Sequence, residues 1–311
     1  MKQLLMANIF ITIAVFVGNV FYQGLGFYYP LKIVCSSGFA LMGIINMIHA
    51  YKKIVNKKLT IYMTAGLIFA FLGDVAINPN FIVGVILFAL GHVFLVASYL
   101  VYKKLDKLDV IFSAGLGTFS IIFILCFPYL IFEVAVLRYV VLVYAVIISV
   151  MVGKSFGNVI RAKSCFSNMI MSGSVLFFVS DMMLLLAWFS SIEGQWTSNL
   201  CMAAYYPGLC LLAGSMLPYI KEERIARITK MESFFDKIQA AYSDNDNIIK
   251  DIEIETMLRE LKEYYENGQW RADFEADERG ELPANLKRGI LTEDAIYNLF
   301  CEIEKERKRD V

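Results

Sequence analysis

Stretches of about 20 residues with almost no charge recur down the first 220 positions, near residues 4–22, 31–50, 60–77, 81–101, 109–129, 134–152, 166–190 and 197–218, and a helix of that length crosses roughly 30 Å of hydrocarbon. A segment that spans a bilayer must satisfy its own backbone hydrogen bonds, so the pattern predicts eight transmembrane helices. Beyond Pro218 the pattern changes. Ile225, Ile228, Met231, Phe235, Ile238 and Tyr242 recur every three or four residues among charges, the period of an amphipathic helix. A second such helix is expected from about Asn247 to Glu266, with Asn267-Gly268 as its breaker. The segment GQWRADFEADERGELPANLKRG reads as acidic and turn-rich, and Thr292 is placed to cap a last helix carrying Ile296, Leu299 and Ile303 on one face. The chain is therefore expected to be all-α. A membrane domain of two four-helix halves covers 1–220, and a small soluble helical domain covers 221–311.

Composition agrees with this division. Hydrophobic residues make up 58% of the chain, well above a soluble domain. The formal net charge is zero, but residues 1–220 hold 13 basic and 6 acidic side chains, leaving 16 basic and 23 acidic for the remainder. Within the membrane part, lysines and arginines gather in alternate connections: Lys52, Lys53, Lys57 and Lys58, then Lys103, Lys104 and Lys107, then Lys154, Arg161 and Lys163. By the positive-inside rule both termini are expected in the cytoplasm, in a multi-pass protein of the plasma membrane. The opposite side shows only Lys32 and Arg138 at span edges, with Glu133 and Glu193. The six cysteines are scattered without metal-ligand or disulfide-framework spacing, so no metal or cofactor is expected.

Two apolar runs each enclose an aspartate. GLIFAFLGDVAI holds Asp74, and GSVLFFVSDMML holds Asp181 107 residues later. In both, a glycine lies eight residues before the aspartate (Gly66, Gly173), a phenylalanine three before it (Phe71, Phe178) and a small residue directly before it. A carboxyl group inside a spanning helix is expensive and marks a functional-site candidate. The aspartates fall on spans three and seven, which run in the same sense, as in a parallel repeat of two four-span halves. The plain alternative is that each aspartate only bonds a neighbouring helix as packing glue. His92 in FALGHVF could likewise be a neutral packing residue, and Tyr205 precedes Pro207, where a helix loses a backbone donor.

Desolvation raises a carboxyl pKa and a second carboxylate nearby raises it further. Two aspartates facing one low-dielectric cavity could thus supply an acid and a base for proton-transfer hydrolysis. Access from the hydrocarbon favours a lipid substrate. A proton-coupled transporter could use the same residues.

The runs GLIFAFLGDVAI, FIVGVILFALGHVFLVASYL and SGSVLFFVSDMMLLLAWF resemble the YhhN-like membrane family, the lysoplasmalogenases, over roughly residues 1–220. The resemblance implies hydrolysis of the vinyl ether bond of a lysoplasmalogen to a fatty aldehyde and a glycerophospho-alcohol, without metal or cofactor. It implies Asp74 and Asp181 as catalytic aspartates, with His92, Tyr144 and Tyr205 binding or orienting the substrate. Leu209 stands where the family tends to carry Gln, and Leu95 where it often carries Tyr. The acid role falls to Asp181, the deeper of the two, and the carboxylate role to Asp74. From about Ile225 the tail, marked by YYENGQWRADFEADERGELPANLKRGILTEDAIYNLF, resembles a small bacterial domain of unknown function. A partner-docking role for 225–311 suits its amphipathic helices, and its carboxylates read as a solvated face. The competing reading is a non-enzymatic lipid-binding membrane protein or proton-coupled transporter, with the same tail and no turnover.

Overall fold

A computed structural model of the chain describes residues 2–51, 57–191, 194–244, 252–292 and 294–309. Lys52, Lys53, Glu193 and the expected helix start at Asn247 lie outside them. The described residues are almost wholly helical, with one isolated bridge between Leu130 and Ser190 and no strand. Eight helices are long and apolar enough to cross a membrane: α1 (Lys2–Gly24), α2 (Tyr29–Tyr51), α3 (Lys58–Ile77), α4 (Phe81–Tyr102), α5 (Lys107–Cys126), α6 (Ala135–Ala162), α7 (Cys165–Phe189) and α8 (Trp196–Gly214), the last followed by α9 (Met216–Asp244). The chain divides into two compact units, Met1–Tyr219 and Ile220–Val311.

Helix starts follow local capping chemistry. Asn80 accepts from Val83 N ahead of α4, and Ser164 and Ser167 form a reciprocal capping box at α7. Asp106 and Asp109 do the same at α5. The largest departure from the sequence reading is α6, which runs ten residues past the expected end at 152 and closes on Lys163 in the left-handed conformation. Lys154 and Arg161 are therefore helical and not loop charges. Their Nζ and Nη2 lie 2.8 and 2.7 Å from the carboxylate of Asp109, which is buried at the start of α5. Gly157 permits the approach, since a Cβ there would overlap Asp109 Oδ1.

In the membrane unit α2, α3, α4, α6, α7 and α8 pack in a closed ring, each against the next, with α1 against α2 and α8, and α5 against α6. The ring has a pseudo-twofold pattern. α4 meets α6 as α8 meets α2, so the ring helices α2–α4 and α6–α8 pack equivalently, while α1 also touches α8. The closest approach repeats as well. A Cβ on Gly66 would sit 3.0 Å from Gly91 O, and one on Gly173 would sit 2.9 Å from Gly208 O. Glycine pairs let α3 touch α4, and α7 touch α8, backbone to backbone. Leu substituted at Gly66 or Gly208 forces overpacking worth about 1–3 kcal/mol. Each variant is expected to lower the melting temperature of the purified protein by about 3–10 °C, while Gly115→Leu, with open space around Gly115, leaves it unchanged.

The second unit packs the C-terminal part of α9 with α10 (Ile252–Glu266), α11 (Gln269–Glu278), a short 3-10 turn (Gly289–Leu291) and α12 (Ala295–Arg309) around Ile228, Ile238, Leu261, Ile290 and Ile296. α11 lies within the segment expected to be turns. Gly268, at φ +73°, supplies the turn alone, and the helix-forming run after it continues as a helix. The hydroxyl of Thr292 donates to Gly289 O in the 3-10 turn. Nor are all the carboxylates solvated. Asp273 is fully buried, with Arg227 at 2.6 Å, Arg224 at 3.3 Å and the Tyr264 hydroxyl at 3.0 Å. Glu232, also buried, accepts from the backbone of Gly289 and Ile290.

Candidate active site

Both intramembrane aspartates face the protein interior. Asp74 is 2% and Asp181 8% exposed, so neither side chain points into the acyl phase. Each belongs to its own hydrogen-bonded set. On α3, Asp74 Oδ2 accepts from Ser36 Oγ of α2 at 2.6 Å and from Tyr205 OH of α8 at 2.7 Å, while Lys32 Nζ of α2 lies 3.1 Å from Oδ1. The Tyr206 hydroxyl is 3.3 Å from Ser36 Oγ and donates to Lys32 O. Two hydroxyl donors and a cation reach this one carboxylate.

On α7, Asp181 Oδ2 accepts from Tyr144 OH of α6 at 2.5 Å. His92 Nε2 of α4 is 2.8 Å from the Tyr144 oxygen and 3.4 Å from Asp181 Oδ2. With Tyr144 donating to the carboxyl, His92 is assigned as the Nε2–H tautomer donating to Tyr144. Its Nδ1 faces Met151 Sδ at 3.3 Å. None of these bonds uses Asp181 Oδ1.

The two sets are related by the same pseudo-twofold as the fold. Each aspartate is reached from the second helix of its own half (α2 or α6) and from the fourth helix of the other half (α8 or α4). The exchange is imperfect in an informative way. Aligned on Gly91 and Gly208, Tyr205 corresponds to Phe88, and His92 to Leu209, which is fully buried. One half contributes a phenol one turn before the glycine's successor, the other an imidazole at that successor.

Between the sets lies an aromatic layer. Phe177 contacts His92 with ring centroids 4.5 Å apart and Tyr205 at 5.5 Å, while Phe88 meets Phe177 at 6.3 Å and Tyr205 at 6.2 Å. Among the described residues no hydrogen bond joins the two carboxyls. A cleft of about 40 Å³, room for a water or two, borders Asp181 and Tyr144 and is otherwise walled by Phe81, Val85, Phe88 and other apolar side chains. Asp74, His92 and Tyr205 do not line it. The sequence expectation of two aspartates facing one cavity is thus met on the Asp181 side alone, because Phe88, Phe177 and the Tyr205 ring fill the space between.

Sequence reasoning overlooked Lys32, Ser36 and Tyr206. Lys32 sits at the edge of an apolar run, where a lysine is ordinarily a snorkelling anchor. Here it is 5% exposed and turned inward to Asp74. The signal that could have found it is its position on the sparsely charged side, opposite the lysine-rich connections.

Eight apolar helices, six of them closed around two internally bonded aspartates, define a multi-pass membrane protein with a buried polar centre. The YhhN family model matches residues 30–216 and a model for a domain of unknown function, DUF4298, matches residues 228–308. The chain belongs to the YhhN family. No curated protein and no solved structure matches it.

Proposed function

We propose that the protein is a membrane hydrolase of lysoplasmalogens, cleaving the vinyl ether to a fatty aldehyde and a glycerophospho-alcohol. The observation that carries this reading is Asp181. It is the one carboxyl of the pair that opens on a cleft, its walls are apolar, and Tyr144 and His92 fix its orientation while leaving Oδ1 unengaged. Membership of the YhhN family supports the reading.

In the proposed reaction, Asp181 gives the proton on Oδ1 to the alkene carbon not bonded to oxygen. The resulting oxocarbenium ion lies beside the newly formed Asp181 carboxylate, which stabilises it and takes a proton from the attacking water. The hemiacetal then collapses, with the proton passing to the leaving glycerol oxygen, and releases aldehyde and alcohol. Tyr144 and His92 hold the carboxyl in line. Asp74 is assigned the ionised role, since Lys32, Ser36 and Tyr205 surround it with donors. Through Tyr205 it anchors the aromatic layer against which the substrate end of the cleft is built. These steps draw only on side chains of the chain itself.

The lysine-rich connections support a plasma-membrane orientation with both termini cytoplasmic. The tail is proposed as a partner-docking module fused at about residue 220. Deleting 225–311 is then expected to leave hydrolysis within about twofold of the full chain.

The reading is tested by incubating purified protein with a lysoplasmalogen and measuring aldehyde. Asp74→Asn and Lys32→Met are each expected to lower turnover by about 10²-fold, since each leaves a buried charge without its partner. In the doubly substituted protein thermal stability recovers relative to Lys32→Met, because no unpaired carboxylate is left inside. Full turnover in both single variants would remove Asp74 from the mechanism.

A further inference from the structure

On α2, Ser36 and Asn46 are ten residues apart, and so are Tyr144 and Lys154 on α6. The first residue of each pair bonds its aspartate. The second ties its helix to the first helix of its own half and to the end of the other half's fourth helix. Asn46 Nδ2 donates to Asn8 Oδ1 of α1 at 2.8 Å and to Ala213 O of α8 at 2.9 Å. Lys154 Nζ donates to Asp109 Oδ2 of α5 at 2.8 Å and to Lys104 O, just past α4, at 3.0 Å. One position of the repeat thus carries neutral amides in the first half and ions in the second. Amides suffice to tie the helices, as the first half shows, and buried ions are a costly way to do the same. The charges of the second half call for another role.

An open groove runs from each of these contacts. One of about 530 Å³, between α1 and α8, borders Asn8. The other, about 460 Å³, lies between α4, α5 and α6 and borders Asp109 and Lys154. Its walls are largely apolar, with Leu100, Val110, Gly117 and Val146 among them, and it follows α5 from Asp109 to Ile121, about 18 Å. Leu100, Val110 and Val146 are exposed, so the groove opens onto the hydrocarbon and has the form of an acyl-chain site. Its charged end lies at the first turn of α5, where a lipid head would sit. There Asp109 offsets only one of Lys154 and Arg161. Lys104 and Lys107 beside them are exposed and form no ion pair among the described residues, with Asp106 as the one further carboxylate of that connection. The surplus is positive, which complements a head of net negative charge and gives a zwitterionic head little advantage.

We propose that the groove between α4, α5 and α6 binds an anionic phospholipid of the leaflet on the lysine-rich side, its phosphate at Lys104, Lys107 and Arg161 and one acyl chain along α5. The occupant ties α5 to α4, a role that the contact of α1 with α8 fills in the other half. The site shares no wall residue with the Asp181 cleft and does not depend on the reaction proposed there.

The test titrates the purified full-length protein in neutral detergent with phosphatidylglycerol and, separately, with phosphatidylcholine of the same chains, counting bound lipid by native mass spectrometry. Wild type is expected to prefer phosphatidylglycerol by about tenfold. Lys104→Gln combined with Lys107→Gln, two exposed changes, is expected to cut the preference to about twofold and leave phosphatidylcholine affinity unchanged. Gly117→Leu fills the groove, since a Cβ there meets nothing closer than Ser149 Cβ at 3.7 Å, and is expected to lower the affinity for both lipids by about tenfold. Val146→Trp is expected to do the same from α6. Ile13→Trp, in the groove that ends on Asn8, should keep the preference intact. Equal wild-type affinities, or a full preference in the double lysine variant, overturn the anionic head. Undiminished phosphatidylglycerol binding in both groove-filled variants overturns the groove and leaves only a basic connection attracting a charged surface.

Discussion

Asp181→Asn is expected to abolish aldehyde release from a lysoplasmalogen, by about 10³-fold or more, with the protein still folded. General acid catalysis contributes about 10²–10⁴-fold on its own, and here the proton goes to carbon, a transfer that bulk water performs poorly at neutral pH. The amide of Asn keeps the shape of the carboxyl and still accepts from Tyr144, whose hydroxyl lies 2.5 Å from Asp181 Oδ2. It has no acidic proton. The loss should therefore lie in kcat with little change in KM, as for an interaction made only in the transition state. The measurement is steady-state aldehyde formation, with the melting temperature confirming an intact fold. His92→Gln and Tyr144→Phe disturb only the orientation of the carboxyl and are expected to retain part of the rate.

The second large effect concerns stability. Asp109→Ala is expected to cost about 3–5 kcal/mol, because it strips the partner from a buried ammonium. The side chain of Lys154 is 2% exposed, and its other acceptor is the Lys104 carbonyl at 3.0 Å. Arg161, 25% exposed, can turn to water. Adding Lys154→Met to Asp109→Ala should consequently recover most of the loss, even with Arg161 left in place. Thermal melting of the purified protein reads both results. Equal stability of the single and double variants would mean that Lys154 is not the buried charge that matters.

The same cluster shows where sequence reading stops. The apolar window along α6 ends near Met151, and Gly153-Lys154-Ser155 looks like the start of a charged loop. What carries the helix on to Ala162 is tertiary. Gly153 and Gly157 admit α5, and Asp109 neutralises two cations that hydropathy counts as solvated. The sign of the charge asymmetry survives this, but the reading of Lys154 and Arg161 as loop charges does not. The repeat was legible because glycine and aspartate at fixed spacing are rare in apolar runs, and Gly66 and Gly173 do occupy equivalent contacts. Their partners Gly91 and Gly208 were not recognised as a pair. The loops between the two copies differ in length and shift the frame.

The grouping of Tyr144 with Asp181, and of Tyr205 with Asp74, follows from helix adjacency, which one sequence without its packing does not give. Nor does it show the aromatic layer that keeps the two carboxyls apart. Phe88 and Phe177 read as ordinary core residues until both are seen against Tyr205. In the soluble unit, Asp273 was hidden for a similar reason. A carboxylate in an acidic, turn-like stretch looks solvated, and only the convergence of Arg224, Arg227 and Tyr264 places it in the core.

A lipid-binding protein or transporter built on this fold would hold the same polar centre but would leave the lipid whole. The decisive measurement is therefore the mass of the aldehyde released when purified protein turns over a lysoplasmalogen in heavy water. Carbon protonation by Asp181, whose proton exchanges with solvent, predicts an aldehyde carrying one deuteron on the carbon next to the carbonyl, formed in step with the glycerophospho-alcohol. Recovery of intact lysolipid, or of an aldehyde with no deuteron at that carbon, would contradict it.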